Sequence, residues 1–188
     1  MRIILLPVTL LFVICLCGQS VGAADLAEGF MKAPWNSHVS RHEGLVHLYL
    51  KQGVTYYANP GEVLTLRSRP VPNVVYGFYN DRFFAVYIGI DTLEDFADIK
   101  RYMQEKYGIP VTDSSTKTGE TVYKWKYKKT KIKLKIRKKT EKMKLAFYYR
   151  PISKQLNESQ LEEFHETSFR WFPVDKDKTP KMIPLLEF

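Results

Sequence analysis

Lysine alternates with aromatic or aliphatic residues in three successive runs of Tyr123–Tyr149, which reads YKWKYKKTKIKLKIRKKTEKMKLAFYY. Successive side chains of a strand point to opposite faces, so this alternation predicts strands with one apolar and one charged face. Tyr123, Trp125 and Tyr127 fall on one side, with Lys124, Lys126 and Lys128 on the other. Ile132, Leu134 and Ile136 repeat the pattern against Lys131, Lys133, Lys135 and Arg137. Met143, Leu145, Phe147 and Tyr149 do so against Lys142 and Lys144. The expected element is a three-stranded meander with an almost wholly positive outer face.

Upstream, Gly44–Lys51 reads as a first strand that Val54–Tyr57 continues after Gly53, up to a turn at Asn59-Pro60-Gly61. Pro70, Pro72 and Asn73 mark a loop. Val74–Tyr79 and Arg82–Ile90 are β-branched and aromatic runs separated by Asn80-Asp81, two residues that tolerate positive φ, which predicts a hairpin. Phe83, Ala85 and Tyr87 alternate with Phe84, Val86 and Ile88, and both sets are apolar. That strand is expected to be covered on both faces.

A helix follows. Thr92 is a good N-cap, and Asp95 three residues later makes a variant capping box. Leu93, Phe96, Ile99, Met103 and Tyr107 form one apolar stripe at helical spacing, while Gly108 and Pro110 end the helix. Asp113–Gly119 reads as a polar loop. Past Pro151, Asn157–Phe169 suggests a short helix with Ser159 and Glu162 as its capping box, Leu161 and Phe164 on one side, and Glu158, Glu162 and Glu166 in an acidic stripe. Pro173–Pro180 reads as a linker, and Met182–Phe188 as an apolar tail.

The expected fold class is therefore α+β: an antiparallel sheet, built of a hairpin plus a three-stranded Lys-rich meander, with one main helix on its apolar face, a short C-terminal helix and an extended tail. Residues 1–23 read as a signal peptide, 24–150 as the α+β domain (24–41 an irregular arm), and 151–188 as the C-terminal helix and tail. The leader reading rests on Arg2, the apolar run Ile3–Leu16, and the small residues Val21-Gly22-Ala23, with Ala24 as a near alternative end. The run is short of the about 20 apolar residues a membrane span needs. Cleavage there removes Cys15 and Cys17, the only cysteines, and with them disulfides, thiolate nucleophiles and Cys-ligated zinc. Ile14 and Leu16 precede those cysteines and fit a lipoprotein signal poorly. The expected location is the periplasm or the secreted fraction.

The net charge is +9, which favours anionic partners and says nothing about fold. The candidate binding residues are Lys124, Lys126, Lys131, Lys133, Lys135, Arg137, Lys142 and Lys144. Lysines fixed on a sheet attract anionic polymers by counterion release and anionic headgroups by surface potential. Two other readings compete. Outward lysines also simply solvate a sheet and protect its edge, and the stripe Glu158/Glu162/Glu166 would neutralise them if it lay across them. Nucleic acid is disfavoured, because the chain reads as exported and its aromatics fall on the buried side.

The remaining chemistry is thin. His38, His42 and His47 lie close in sequence, but a metal needs a further ligand and an ordered frame, so no metal site and no cofactor are expected. Tyr79, Asp81, Arg82 and Asp91 lie near strand ends, yet no nucleophile–base order, paired acids or phosphate loop stands out. Tyr56, Tyr57, Tyr76, Phe78 and Tyr79 are core aromatics or the lining of a groove. Asn157-Glu158-Ser159 is a glycosylation sequon, relevant only in a eukaryotic secretory route. The sequence thus points to a non-enzymatic binding or envelope-accessory module for an anionic envelope component or protein. The alternative is a small-ligand carrier or hydrolase with a pocket between helix and sheet.

Overall fold

The computed structural model describes residues 25–71, 74–157, 160–161 and 179–186. The expected leader, Cys15 and Cys17, most of the expected C-terminal helix with Glu158, Glu162 and Glu166, and the end of the tail lie outside them. Among the described residues, thirteen strands run in chain order: β1 (Gly29–Phe30), β2 (Ala33–Pro34), β3 (Val46–Lys51), β4 (Val54–Ala58), β5 (Glu62–Leu66), β6 (Arg69–Val71), β7 (Val74–Tyr79), β8 (Arg82–Ile90), β9 (Val111–Ser115), β10 (Glu120–Tyr127), β11 (Thr130–Arg137), β12 (Lys142–Tyr149) and β13 (Lys181–Pro184). Helix α1 (Leu93–Tyr107) follows β8, and a single turn, α2 (Arg150–Ser153), follows β12.

The fold is broadly α+β, but the sheet is larger than a hairpin plus a meander. Eight strands form one antiparallel sheet in the order β3-β4-β7-β8-β12-β11-β10-β9. The hairpin with β3 and β4 beside it, and the meander with β9 beside it, are its two halves, joined where β8 pairs with β12 from Met143↔Ile90 to Tyr148↔Ala85. A second sheet has the order β13-β5-β6.

The turns explain the register. Asn80 and Asp81 take φ of 49° and 58°, the left-handed pair that a tight hairpin needs. Gln52 and Gly53 do the same at 49° and 81°, so β4 folds back on β3 instead of continuing it. Arg67 and Ser68, at 49° and 65°, turn β5 into β6, where a loop was expected. Pro70 sits in β6 without harm, because β6 is an edge strand and need not donate outward.

Thr92 accepts from the Asp95 amide at 3.1 Å and caps α1 as expected, and Gly108 ends it at φ 81°. Phe96, Ile99 and Met103 are buried against the sheet, whereas Leu93 is 67% exposed in the first turn and drops out of the stripe. Trp125 of β10 donates its indole N–H to the Gly108 carbonyl at 2.8 Å and fixes the helix end on the sheet. Arg69 pairs with Asp95 at 2.5 Å and Arg67 with the buried Asp98 at 2.9 Å, so the β5–β6 turn grips the helix.

Both faces of β8 are covered, as its composition implies. A bulge opposite Gly77/Phe78 regroups its side chains. Phe83 joins Val86 and Ile88 on the helix side, and Phe84 joins Ala85 and Tyr87 on the other. The arm is not loose: Phe30 meets Phe147 at 5.2 Å and Trp35 stacks on Phe83 at 4.8 Å. Residues 111–115 form an edge strand that takes in the start of the expected loop 113–119, since backbone pairing with β10 needs no apolar side chains. The tail becomes β13, parallel to β5, and buries Leu185.

Candidate functional site

The face of the large sheet opposite α1 has two halves. On the first, Tyr56, Val75, Tyr87, Ala146 and Tyr148 form a buried cluster under Ile152, Leu156 and Leu161. Tyrosine hydroxyls tie the covering segment down: Tyr148 donates to the Leu161 carbonyl at 2.9 Å and Tyr56 to that of Gln160 at 3.2 Å. Gln160 in turn donates its side-chain amide to the Gln52 carbonyl at 2.7 Å.

The second half carries the lysines. Register places Lys124 opposite Lys133, Lys126 opposite Lys131, Lys135 opposite Lys144, and Arg137 opposite Lys142. All eight candidate residues therefore share one face, in four like-charge cross-strand pairs. Such pairs are destabilising. The four strands β9–β12 contain only two carboxylates, Asp113 and Glu120. Asp113 is engaged by Lys124, whose ammonium holds the carboxyl below its ordinary range. Glu120 receives Arg137 at 2.9 Å on one oxygen and Lys135 at 3.2 Å on the other. Burial opposes its ionisation, but the two cations prevail and its carboxyl also sits below the usual range.

One expectation fails here. Lys133 and Lys135 do not face water, being 4% and 7% exposed. Their strand is central, flanked on both sides by lysine-bearing strands. Lys133 also has its ammonium 5.7 Å from the Tyr148 ring centroid, at the boundary between the two halves. Lys126, Arg137 and Lys142 are exposed, and Lys124, Lys131 and Lys144 half-buried. A shallow cleft of about 340 Å³ opens between β9 and β11, lined by Asp113, Ser115, Glu120, Val122, Lys124 and Lys133.

The other candidates disperse. His38 caps Ser40, His42 lies against Phe78 and Phe83, and His47 meets Tyr57. Among the described residues, no three metal-ligating side chains gather. Tyr56 points to one face of the sheet and Tyr76 and Phe78 to the other, so these aromatics line no common groove. Asp81 gives its backbone carbonyl to Val39, and Arg82 reaches the Asn36 carbonyl at 3.4 Å.

Sequence reasoning missed one pair: Ser37 Oγ lies 2.7 Å from His42 Nε2. Ser37 is buried and donates its proton to the Pro34 carbonyl at 2.6 Å, so it braces the arm and is not placed to attack a substrate. Between helix and sheet, the cavity beside Ile88, Ile99 and Leu185 holds about 30 Å³, room for roughly one water.

No protein-family pattern, curated protein or solved structure matches this chain.

Proposed function

We propose that this chain is an exported, non-enzymatic binding module that holds an anionic envelope component or protein on the lysine face of β9–β12. One observation carries the reading: the register gathers eight cations on one face of β10–β12, opposed in four like-charge pairs. A sheet built only for stability avoids such opposition, and departures from local consistency concentrate at functional sites. An anionic partner gains the surface-potential attraction of such a face. Export is supported by Arg2, the apolar run Ile3–Leu16 and the small residues ending at Ala23. The cavity beside Ile99, about 30 Å³, is smaller than a drug-sized ligand needs, so it does not favour the carrier or hydrolase alternative.

The test is titration of the protein lacking residues 1–23 with phosphatidylglycerol-containing vesicles and with a soluble acidic polysaccharide. Saturable binding that weakens steeply with salt is expected for one of them. Changing the exposed Lys126 and Lys142 together to glutamate should weaken it by about tenfold or more. Changing Glu158, Glu162 and Glu166 to glutamine should strengthen it if those acids compete for the face. Absence of saturable binding, or indifference to the double charge reversal, sinks the reading.

A further inference from the structure

The cleft between β9 and β11 is built unlike the rest of the lysine face. Buried Val122 lies in its middle by register. Asp113 stands opposite Val122 on β9. Glu120 and Lys124 precede and follow it on the same face of β10, each about 7 Å along the strand. Lys133 stands opposite Lys124 on β11. The four charged side chains that line the cleft are thus two carboxylates and two ammoniums, and their charges cancel. Opposite charges flank an apolar middle.

Two ion pairs border the cleft, and they differ. Glu120 is held by Lys135 and Arg137, and the Lys135 and Glu120 side chains are largely out of water. Asp113 and Lys124 pair nearer to solvent, with side chains 63% and 34% exposed. An exposed pair contributes little to stability. The Asp113–Lys124 pair is therefore the one that a ligand can open.

A simple anion that took Lys124 would leave the Asp113 carboxylate unmatched beside it. A simple cation that took Asp113 would leave Lys124 opposite Lys133 without its counter-charge. A zwitterion replaces both halves of the pair at once and keeps the cleft neutral. We propose that this cleft binds a small zwitterion, with its primary ammonium on Asp113, its anionic oxygens on Lys124 and its short carbon chain over Val122. The volume of about 340 Å³ lies in the range of small-ligand sites. Two sources share this chemistry: a free amino acid, and the ethanolamine phosphodiester headgroup of a lipid. The inference concerns one cleft whose charges cancel, and not the exposed cations of the face, so it stands or falls apart from vesicle or polysaccharide binding.

The probes are β-alanine for the free amino acid and glycerophosphoethanolamine for the headgroup, with propionate and ethylammonium as the half-molecules. NMR follows the backbone amides of residues 113, 122 and 124. At least one zwitterion should shift them saturably, and the half-molecules at the same concentration should not. The tighter of the two zwitterions assigns the source. Asp113→Asn and Lys124→Gln each remove one end of the site and should each weaken binding by about tenfold or more. Both side chains reach solvent, so the variants should keep the fold. Propionate matching the zwitterions would mean that the lysines attract any anion, which overturns the zwitterion site and leaves the lysine-face reading in place. Binding by neither zwitterion, or unchanged affinity in either variant, overturns the proposal as well.

Discussion

Lys135 and Glu120 form an ion pair at 3.2 Å with both side chains largely out of water, and Arg137 holds the second Glu120 oxygen at 2.9 Å. The pair lies on the face that alternation marks as solvent-facing. Its members sit on adjacent strands, so it pins β10 to β11 by side chains as well as by the ladder.

Removing the anion from this arrangement should be more harmful than removing the cation. Glu120→Gln leaves a buried ammonium short of its counter-charge and should cost about 2–4 kcal/mol. Lys135→Met should be close to neutral, and the double variant should recover much of the loss. The carboxyl titrates below its ordinary value in the folded state, so its stabilisation is complete above the unfolded carboxylate pKa and is lost as pH falls through the folded one. Urea midpoints measured from neutral pH downward should fall more for the wild type than for Glu120→Gln. Parallel curves would show that Glu120 contributes nothing specific.

His42 acts in a different window. Burial against the aromatic cluster lowers its pKa, so the unfolded chain takes up a proton first. Stability from the neutral ring is whole above the unfolded histidine value of about 6.5 and declines below it, down to the folded value. His42→Asn should flatten this part of the pH–stability profile while leaving the acid limb from Glu120 in place. An NMR titration of the His42 ring with a midpoint at or above the free value refutes the assignment.

Helix α1 offers a test of packing. Phe96 is buried on the sheet, and Phe96→Ala should cost about 3–5 kcal/mol. Thr92→Ala removes the cap and should cost about 1 kcal/mol. Lys100 has its ammonium 4.3 Å from the Tyr123 ring centroid, so Lys100→Ala should cost no more than about 1 kcal/mol. Chemical denaturation ranks the three, and equal losses at positions 96 and 100 would mean the helix packs on another face.

These contrasts also mark what the sequence made legible. The β7–β8 hairpin and α1 could be read because their punctuation is local: Asn80-Asp81 for the turn, Thr92 and Gly108 for the helix ends. The β5–β6 turn was hidden because Arg67 and Ser68 are unusual at positive φ, and only the packed structure holds them there. β9 was missed because Thr112, Asp113, Ser114 and Ser115 carry no apolar period, and β13 because its parallel partner lies far away in sequence. Alternation placed all eight cations on one face correctly. It gave no sign that Lys133 and Lys135 would be buried, since burial depends on a strand's neighbours on both sides and not on its own period.

The order of strands has a consequence for how this chain reaches its fold. Within each half of the large sheet, most neighbours are close in sequence and joined by short turns, as in β3–β4, β7–β8, β10–β11 and β11–β12. The seam between β8 and β12 is different: Ile90 meets Met143 only after the whole stretch 91–142 has been looped back. Closing such a loop is entropically uphill and non-local pairing is slow. Much of the topological difficulty of the large sheet is thus gathered in one ladder, and until it forms, β12 and β8 are themselves unpaired edges.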